Sequence, residues 1–467
     1  MSLTAWDHTG PGEIRPDALL SGLAHAAAIG MLVAYSQAWV FPLVGDGAGA
    51  EAAGGLIRAC YFPAYMVGAV FLWRHWGRTR QALLRQPFLI VLMLIAALST
   101  VWSIAPDQTT RRVFALYCTS LSGVVLGVRY GWTRLTEAVA AAFAIGAVAS
   151  LIAAVVFPSI GVMSELFPGA WRGVWLEKNA LGGNMAIGAV IMIAAAIFNP
   201  RRRRFWSAFA LLAVFLVLMS TSKTALMSLL LGLGAIAFVA VARRGPAAGV
   251  ASGWIAVLGV MLLASGLLFA ADLFFAVLGK DATFTGRTKI WSATMRQIAE
   301  QPWTGYGYGV VWDEKGLWGP LARIIADAGF KPNHAHNAWI EQWLGLGVFG
   351  LGAFALFVLQ TMVLGAAAAF RRRGEYLAAP YLVVYGLMTL TESVGAIYND
   401  IRWVIFCAIA TKLVLPDADA PSQSASLRAA SATGVTSKPS ASAASISRPR
   451  ASGVHPQGDG SSRTSWV

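Results

Sequence analysis

The segment Asn333-His334-Ala335-His336-Asn337-Ala338-Trp339-Ile340-Glu341 holds the residues best suited to move a proton. An imidazole titrates close to neutral pH, so His336 suits a general base, with His334 as second choice. Asn337 and Glu341 stand beside them as further polar groups. Two histidines this close also raise the question of a metal. No cysteine, aspartate or second histidine cluster accompanies them, so no metal site is assigned. A purely structural histidine fits the same spacing. Trp303, Trp339 and Tyr306 add aromatic rings suited to stacking on a ligand or to anchoring the chain at a membrane interface.

Cations form the second kind of candidate. Trp171-Arg172-Gly173-Val174-Trp175-Leu176-Glu177-Lys178-Asn179 offers Arg172, Lys178 and the Asn179 amide to an anion. A tryptophan belt with snorkelling cations would look the same. Ser220-Thr221-Ser222-Lys223-Thr224 is a tight turn in which hydroxyls surround Lys223 and no carboxylate is near in sequence. It reads as a phosphate-binding corner or as a plain turn. Thr285-Gly286-Arg287-Thr288-Lys289-Ile290-Trp291 places Arg287 near the start of a helix predicted over 287–299, where the dipole also favours anions. The Gly305-Tyr306-Gly307 run lacks the Lys-Ser/Thr pair and the strand–helix context of a nucleotide loop.

These residues need a frame, and composition indicates which. The chain has 467 residues, 57% hydrophobic and 12% charged. Soluble domains carry about 25% charged residues. Lipid is the solvent that fits, and continuous apolar runs favour helices over a barrel. About twelve spans are expected, near 18–42, 56–73, 87–105, 112–128, 137–157, 180–198, 205–221, 224–242, 250–271, 337–369, 377–396 and 401–415. The tenth is long enough to begin outside the membrane or to tilt. Cys60, Cys118 and Cys407 sit in apolar runs without C-x-x-C spacing and read as small hydrophobes.

The net charge of +14 falls in short loops, so it points to lipid headgroups and not to nucleic acid. Arginines cluster at 74–85, 201–204, 243–244 and 371–373, after even-numbered spans. The positive-inside rule makes that side, and both termini, cytoplasmic. Asp7, Glu13 and Asp17 precede the first apolar run, which argues against a cleavable signal peptide. The expected organisation is a cytoplasmic N-terminus at 1–17, transmembrane helices 1–9 within 18–271, a periplasmic loop at 272–336, transmembrane helices 10–12 within 337–415, and a disordered cytoplasmic tail at 416–467. The candidate residues all fall on the outer face, against the charge rule. Charged groups kept in or near a bilayer are usually functional.

In order and in topology these segments resemble the O-antigen ligase and polysaccharide polymerase superfamily. That family has a large loop between the ninth and tenth spans. Its histidine motif is His, then Asn/Ser/Gln, nine residues, Gly, two residues, and Gly/Thr/Tyr. Here His336-Asn337 is followed after nine residues by Gly347-Val348-Phe349-Gly350. Gly286-Arg287-Thr288 resembles the family's loop arginine, and Ser222-Lys223-Thr224 its cationic turn, with lysine where arginine is common. Arg172 to Asn179 resembles its polar segment before span 6. The resemblance covers about 20–415.

The resemblance implies an all-α polytopic membrane fold of the glycosyltransferase C type. It implies a metal-independent, inverting glycosyltransferase without cofactors in the bacterial inner membrane, with its active face periplasmic. The donor would be a glycan on undecaprenyl pyrophosphate. The acceptor would be another glycan, lipid A core or a protein, with a flippase and a chain-length regulator as candidate partners. The residues agree: a pyrophosphate leaving group needs cations, assigned to Arg287, Lys223, Arg172 and Lys178. The acceptor hydroxyl needs a base, assigned to His336 with His334 as second choice, while Asn337 would orient a sugar or a ring and Glu341 hold an imidazole or a sugar hydroxyl. An exopolysaccharide or O-antigen polymerase is the expected function, an O-antigen ligase the first alternative and a glycan transporter the second. No internal repeat favours the transporter.

Overall fold

A computed structural model describes residues 16–45, 53–164, 167–245, 247–255, 286–313, 316, 318–371 and 374–415. All of these belong to one unit, Met1–Ala418. The expected tail and N-terminal segment lie outside the described residues. So do most of the expected ninth span and the first part of the expected loop, since 256–285 are not described.

The described chain is helical, with a single isolated bridge between Val162 and Trp171. Its α-helices are α1 (Pro16–Tyr35), α2 (Val40–Val44), α3 (Gly54–Arg74), α4 (Trp76–Leu84), α5 (Pro87–Leu98), α6 (Pro106–Arg129), α7 (Trp132–Val156) and α8 (Pro158–Gly161). They continue with α9 (Lys178–Phe198), α10 (Arg203–Met219), α11 (Lys223–Ala242), α12 (Arg287–Glu300), α13 (Pro320–Ala328), α14 (Ala338–Arg371), α15 (Glu375–Thr391) and α16 (Ile401–Val414). Proline opens α5, α6, α8 and α13, where its missing N–H has no helical partner to lose.

Six of these helices are long and apolar enough to cross a membrane: α3, α6, α7, α9, α11 and α14. A seventh is obtained if α4 and α5, bent by 92°, count as one span. Three differences from the sequence reading matter. The first apolar run is broken after Tyr35, where Gln37 adopts a φ of +60° before α2 begins. The run expected to end at 105 stops at Leu98 in α5. The run expected to end at 396 stops at Thr391, so Glu392 lies beyond the helix, in a connection to α16.

Small residues set the packing of the bundle. On α6, Gly123 and Gly127 face α16 so closely that an added Cβ would lie 2.4 Å from the Val404 carbonyl and 2.5 Å from that of Ala408. Small residues four apart let helix backbones approach in lipid, where packing, not water exclusion, drives association. Beside that seam Trp403, Phe406, Phe354, Phe357, Tyr381 and Tyr385 form the aromatic core. A separate cluster of Ala293, Ile298, Tyr306, Val311, Ile324, Ala328 and Leu344 ties α12, α13 and the first turns of α14 together.

The join between that cluster and the bundle is Gly347. It interrupts α14 with φ 66° and ψ −170°, a conformation open to glycine and costly for other residues. The break lets the Gly-Tyr-Gly run dock on it: Tyr306 N donates to Leu344 O at 3.0 Å, Gly307 N to Gly345 O at 2.9 Å, and Val348 N to Pro302 O at 2.9 Å. A Cβ on Gly347 would stand 2.0 Å from Trp303 O. Gly347→Ala is therefore expected to cost at least ~3 kcal/mol. Thermal unfolding in detergent checks this, and an unchanged midpoint would refute it.

Candidate active site

Glu392 organises the site. Its Oε2 lies 3.2 Å from His336 Nδ1, and its Oε1 accepts a hydrogen bond and an ion pair from Arg287 Nη2 at 3.2 Å. One carboxylate thus bridges the base candidate and the cation candidate. Arg287 Nη1 also donates to Thr391 O at 2.6 Å, and Nη2 stands 3.5 Å from His336 Nδ1. Burial pushes the Glu392 carboxyl up, but the His336 hydrogen bond and the Arg287 charge outweigh it and hold the group below the usual carboxylate range. An ionised carboxylate only accepts, so a proton on His336 Nδ1 is directed at Glu392, which leaves Nε2 as the ring atom turned away from it. His336 has a φ of +52°, a left-handed conformation uncommon outside glycine. It sits where α14 has not yet started, and the strain is held by the contacts around it.

His334 and Glu341 build the platform beneath His336. The two imidazole rings lie 3.9 Å apart, centre to centre. His334 Nδ1 accepts from the His336 backbone N–H at 3.3 Å. Glu341 Oε1 accepts from Ala335 N at 2.6 Å and from Ser393 Oγ at 2.9 Å, and its Oε2 accepts from Trp312 Nε1 at 2.6 Å. Trp291 Nε1 adds a bond to Ala335 O at 2.8 Å. Glu341 therefore holds the loop backbone, and no imidazole is among its partners. Asn337 Oδ1 caps α14 by accepting from Trp339 N at 2.9 Å and Ile340 N at 3.1 Å, while its Nδ2 reaches Leu390 O at 3.3 Å. Those contacts position the His336 turn, whereas the sequence reading gave Asn337 a sugar or a ring to orient.

Burial lowers the His334 pKa from 6.5 to about 4. Its Nδ1 lone pair is engaged by a backbone amide, so His334 braces the His336 turn. A consequence follows for stability. Between about 4 and 6.5 the folded chain binds fewer protons than the unfolded chain, so this contribution is complete above pH 6.5 and falls as pH falls towards 4. Its loss is on the order of 2 kcal/mol at pH 5. His334→Gln should flatten the pH dependence of detergent thermal unfolding between pH 7 and 5, and an unaltered slope would contradict this.

A cleft of about 410 Å³ opens beside the platform, lined among others by Asn179, His334, Glu341, Gln342, Glu392 and Arg402. Gln342 is buried, and its Oε1 has no hydrogen-bond partner. Arg402 reaches the cleft paired with Asp400 through Nε at 2.9 Å. Asn179 connects the cleft to a pair of cations. Its Oδ1 accepts from Ser222 Oγ at 2.8 Å, and Lys178 Nζ donates to Thr221 Oγ1 at 3.3 Å. Lys178 opens α9 and exposed Lys223 opens α11, and neither has a carboxylate partner among the described residues. Two helix N-termini and two ammonium groups meet in that corner.

Arg172 does not join them. Its Nε donates to Ile160 O at 2.8 Å and its Nη2 to Ser159 O at 3.2 Å, with the guanidinium 4.4 Å from the centre of the Phe41 ring. It clamps α8 to its own loop through Nε and Nη2. The residues that sequence reading missed are Glu392, Gln342 and Arg402. The signal for Glu392 was present: a lone carboxylate at the end of an apolar run expected to span the membrane.

Residues 208–355 match the family described as O-antigen ligase. That stretch includes Lys223, Arg287, His334, His336, Asn337 and Glu341, but not Glu392. The chain is also 33% identical over 210 residues to the exopolysaccharide production protein ExoQ of Rhizobium meliloti (strain 1021). The match covers 41% of this chain and 44% of that protein, so it spans less than half the length of either. Over those stretches the chain is similar to an O-antigen ligase family and to an exopolysaccharide production protein.

Proposed function

We propose that the chain is a glycosyltransferase that moves a glycan from undecaprenyl pyrophosphate to an acceptor hydroxyl, as an exopolysaccharide or O-antigen polymerase. The observation that carries this is the Glu392 carboxylate bridging His336 and Arg287 at the edge of a cleft that Glu392 itself lines. His336 Nε2 takes the proton of the acceptor hydroxyl. The oxygen attacks the anomeric carbon, the bond from that carbon to pyrophosphate breaks, and the lipid pyrophosphate leaves. Attack opposite the leaving group inverts the anomeric centre.

Charge supports the same assignment. Glu392 and Arg287 offset each other's charge. When His336 gains its proton the group becomes singly positive as negative charge grows on the leaving oxygen. Lys178 and Lys223 supply further fixed cations. The reaction needs no metal in this scheme, since side-chain cations meet the leaving group. The active end faces the periplasm and the arginine clusters face the cytoplasm of the inner membrane.

The polymerase reading draws on the likeness to an exopolysaccharide production protein. The description of the matched family favours a second reading, a ligase that passes a finished glycan to lipid A core or protein. Lipid-linked glycan profiles of cells lacking the protein separate them. A polymerase predicts accumulation of single lipid-linked repeats and loss of long chains. A ligase predicts long lipid-linked chains and an unmodified acceptor. An unchanged profile would dismiss both.

A further inference from the structure

A second cavity, of about 850 Å³, lies on the far side of the wall formed by Gln37, Ile397 and Tyr398, which line both it and the cleft. Its other lining includes Arg58, Tyr61, Phe62, Tyr65, Arg111 and Phe114. It sits between α3 and α6 at the same end of the bundle as His336. The connection leading into α6 is bonded to the catalytic loop there: Ile104 N donates to Tyr306 O at 3.1 Å and Trp102 Nε1 to Thr304 O at 2.9 Å.

The shared wall is fixed. Gln37 Nε2 donates to Asn399 O at 2.8 Å, Tyr65 OH to Asn399 Oδ1 at 2.7 Å, and Asn399 N to Thr119 Oγ1 at 2.9 Å. The flanks of the cavity are greasy and outward-facing, with Phe62 59% and Phe114 62% exposed. Two cations stand against that surface. Arg58 and Arg111 are exposed and form no hydrogen bond or ion pair among the described residues. Asp107, one turn before Arg111, makes no ion pair with it. Their neighbour Arg112 is committed to Asp313 and to the Gly309 carbonyl.

An apolar trough with two unpaired guanidinium groups suits an amphiphile with an anionic head. Two guanidinium groups match two phosphoryl groups better than the single phosphate of a bilayer lipid. Only the wall of Gln37, Ile397 and Tyr398 separates such an occupant from the cleft that Glu392 lines. We propose that this cavity holds the acceptor substrate as an isoprenoid pyrophosphate, its pyrophosphate against Arg58 and Arg111 and its glycan reaching past Tyr398 to His336. The inference rests on the polymerase reading above, in which both substrates are lipid-linked.

The test counts bound lipid. Full-length protein in phosphatidylcholine nanodiscs is mixed with farnesyl pyrophosphate and examined by native mass spectrometry. The wild type is expected to bind two equivalents. Arg58→Ala/Arg111→Ala should bind one, with its thermal unfolding unchanged because both side chains are exposed and unpartnered. Arg287→Ala should also bind one, having lost the other site. If the double variant keeps two equivalents while Arg287→Ala drops to one, the second site is refuted and the catalytic reading stands. If Arg287→Ala keeps two while the double variant drops to one, the role given to Arg287 falls and the cavity stands as a pyrophosphate-lipid site. Displacement of one equivalent by an equal concentration of dioleoyl phosphatidylglycerol, lost in the double variant, would make this a phospholipid site and overturn the proposal.

Discussion

His336→Ala is expected to lower glycan transfer by at least ~10²-fold while the protein still reaches the membrane in normal amount. The side chain is only partly buried, and its polar ring contacts are with Glu392 at 3.2 Å and Arg287 at 3.5 Å. Removing it leaves the Glu392–Arg287 pair intact, so the fold loses little. The proton acceptor is lost entirely. The platform stays, since His334 and Glu341 are held by backbone contacts and by Ser393 and Trp312. Transfer measured in membranes with lipid-linked donor checks this, and wild-type transfer would remove His336 from the base role. His334→Ala should be the weaker variant, because its lone pair already holds the His336 amide. A loss as great as that of His336→Ala, at unchanged stability, would exchange their roles.

Glu392→Gln is expected to reduce transfer by about 10²-fold, mainly in the turnover number. The amide can still accept a hydrogen bond from His336 Nδ1, so the ring keeps a partner. The negative charge is gone, however, and Arg287 remains 3.5 Å from that ring nitrogen. A guanidinium at that distance without a carboxylate opposes protonation of the ring, which is what the transition state requires. The limb of the pH profile set by the base should therefore move to lower pH in Glu392→Gln. Glu392→Asp, which keeps the charge on a shorter arm, should recover part of the rate without that displacement. A merely structural carboxylate would lower protein yield and leave the pH profile in place, and that pattern would defeat the assignment.

The two variants also separate chemistry from scaffolding in the same loop. Asn337 and Glu341 were both legible as polar residues beside the histidine, but the roles read from sequence differ from their contacts. Sequence shows only adjacency, and adjacency to His336 suggested sugar or ring. In the fold their acceptors are consumed by backbone amides, a cap for α14 and a brace for Ala335. Buried backbone N–H groups must be satisfied, and a polar residue at a helix start is the nearest means. Arg172 follows the same pattern with carbonyls in place of amides.

What the sequence alone determined is the solvent, the helical class and the principal base and cation candidates. Those follow from composition, from apolar run length and from cations on the face where charge bias does not put them, all local properties of the chain. The bundle decided which of them meet. Arg287, His336 and Glu392 come from three separate stretches, 49 and 105 positions from Arg287 to the other two in the hydrogen bonds that join them. Glu392 read as part of a span because its neighbours are apolar. Only the ending of α15 at Thr391 and the breaking of α14 at Gly347 bring its carboxylate to the histidine. Periodicity reports which face of a helix is greasy, while a bridge between distant residues depends on where helices stop. Those stops are set by close backbone contacts such as that of Gly347 with Trp303, which belong to the tertiary structure.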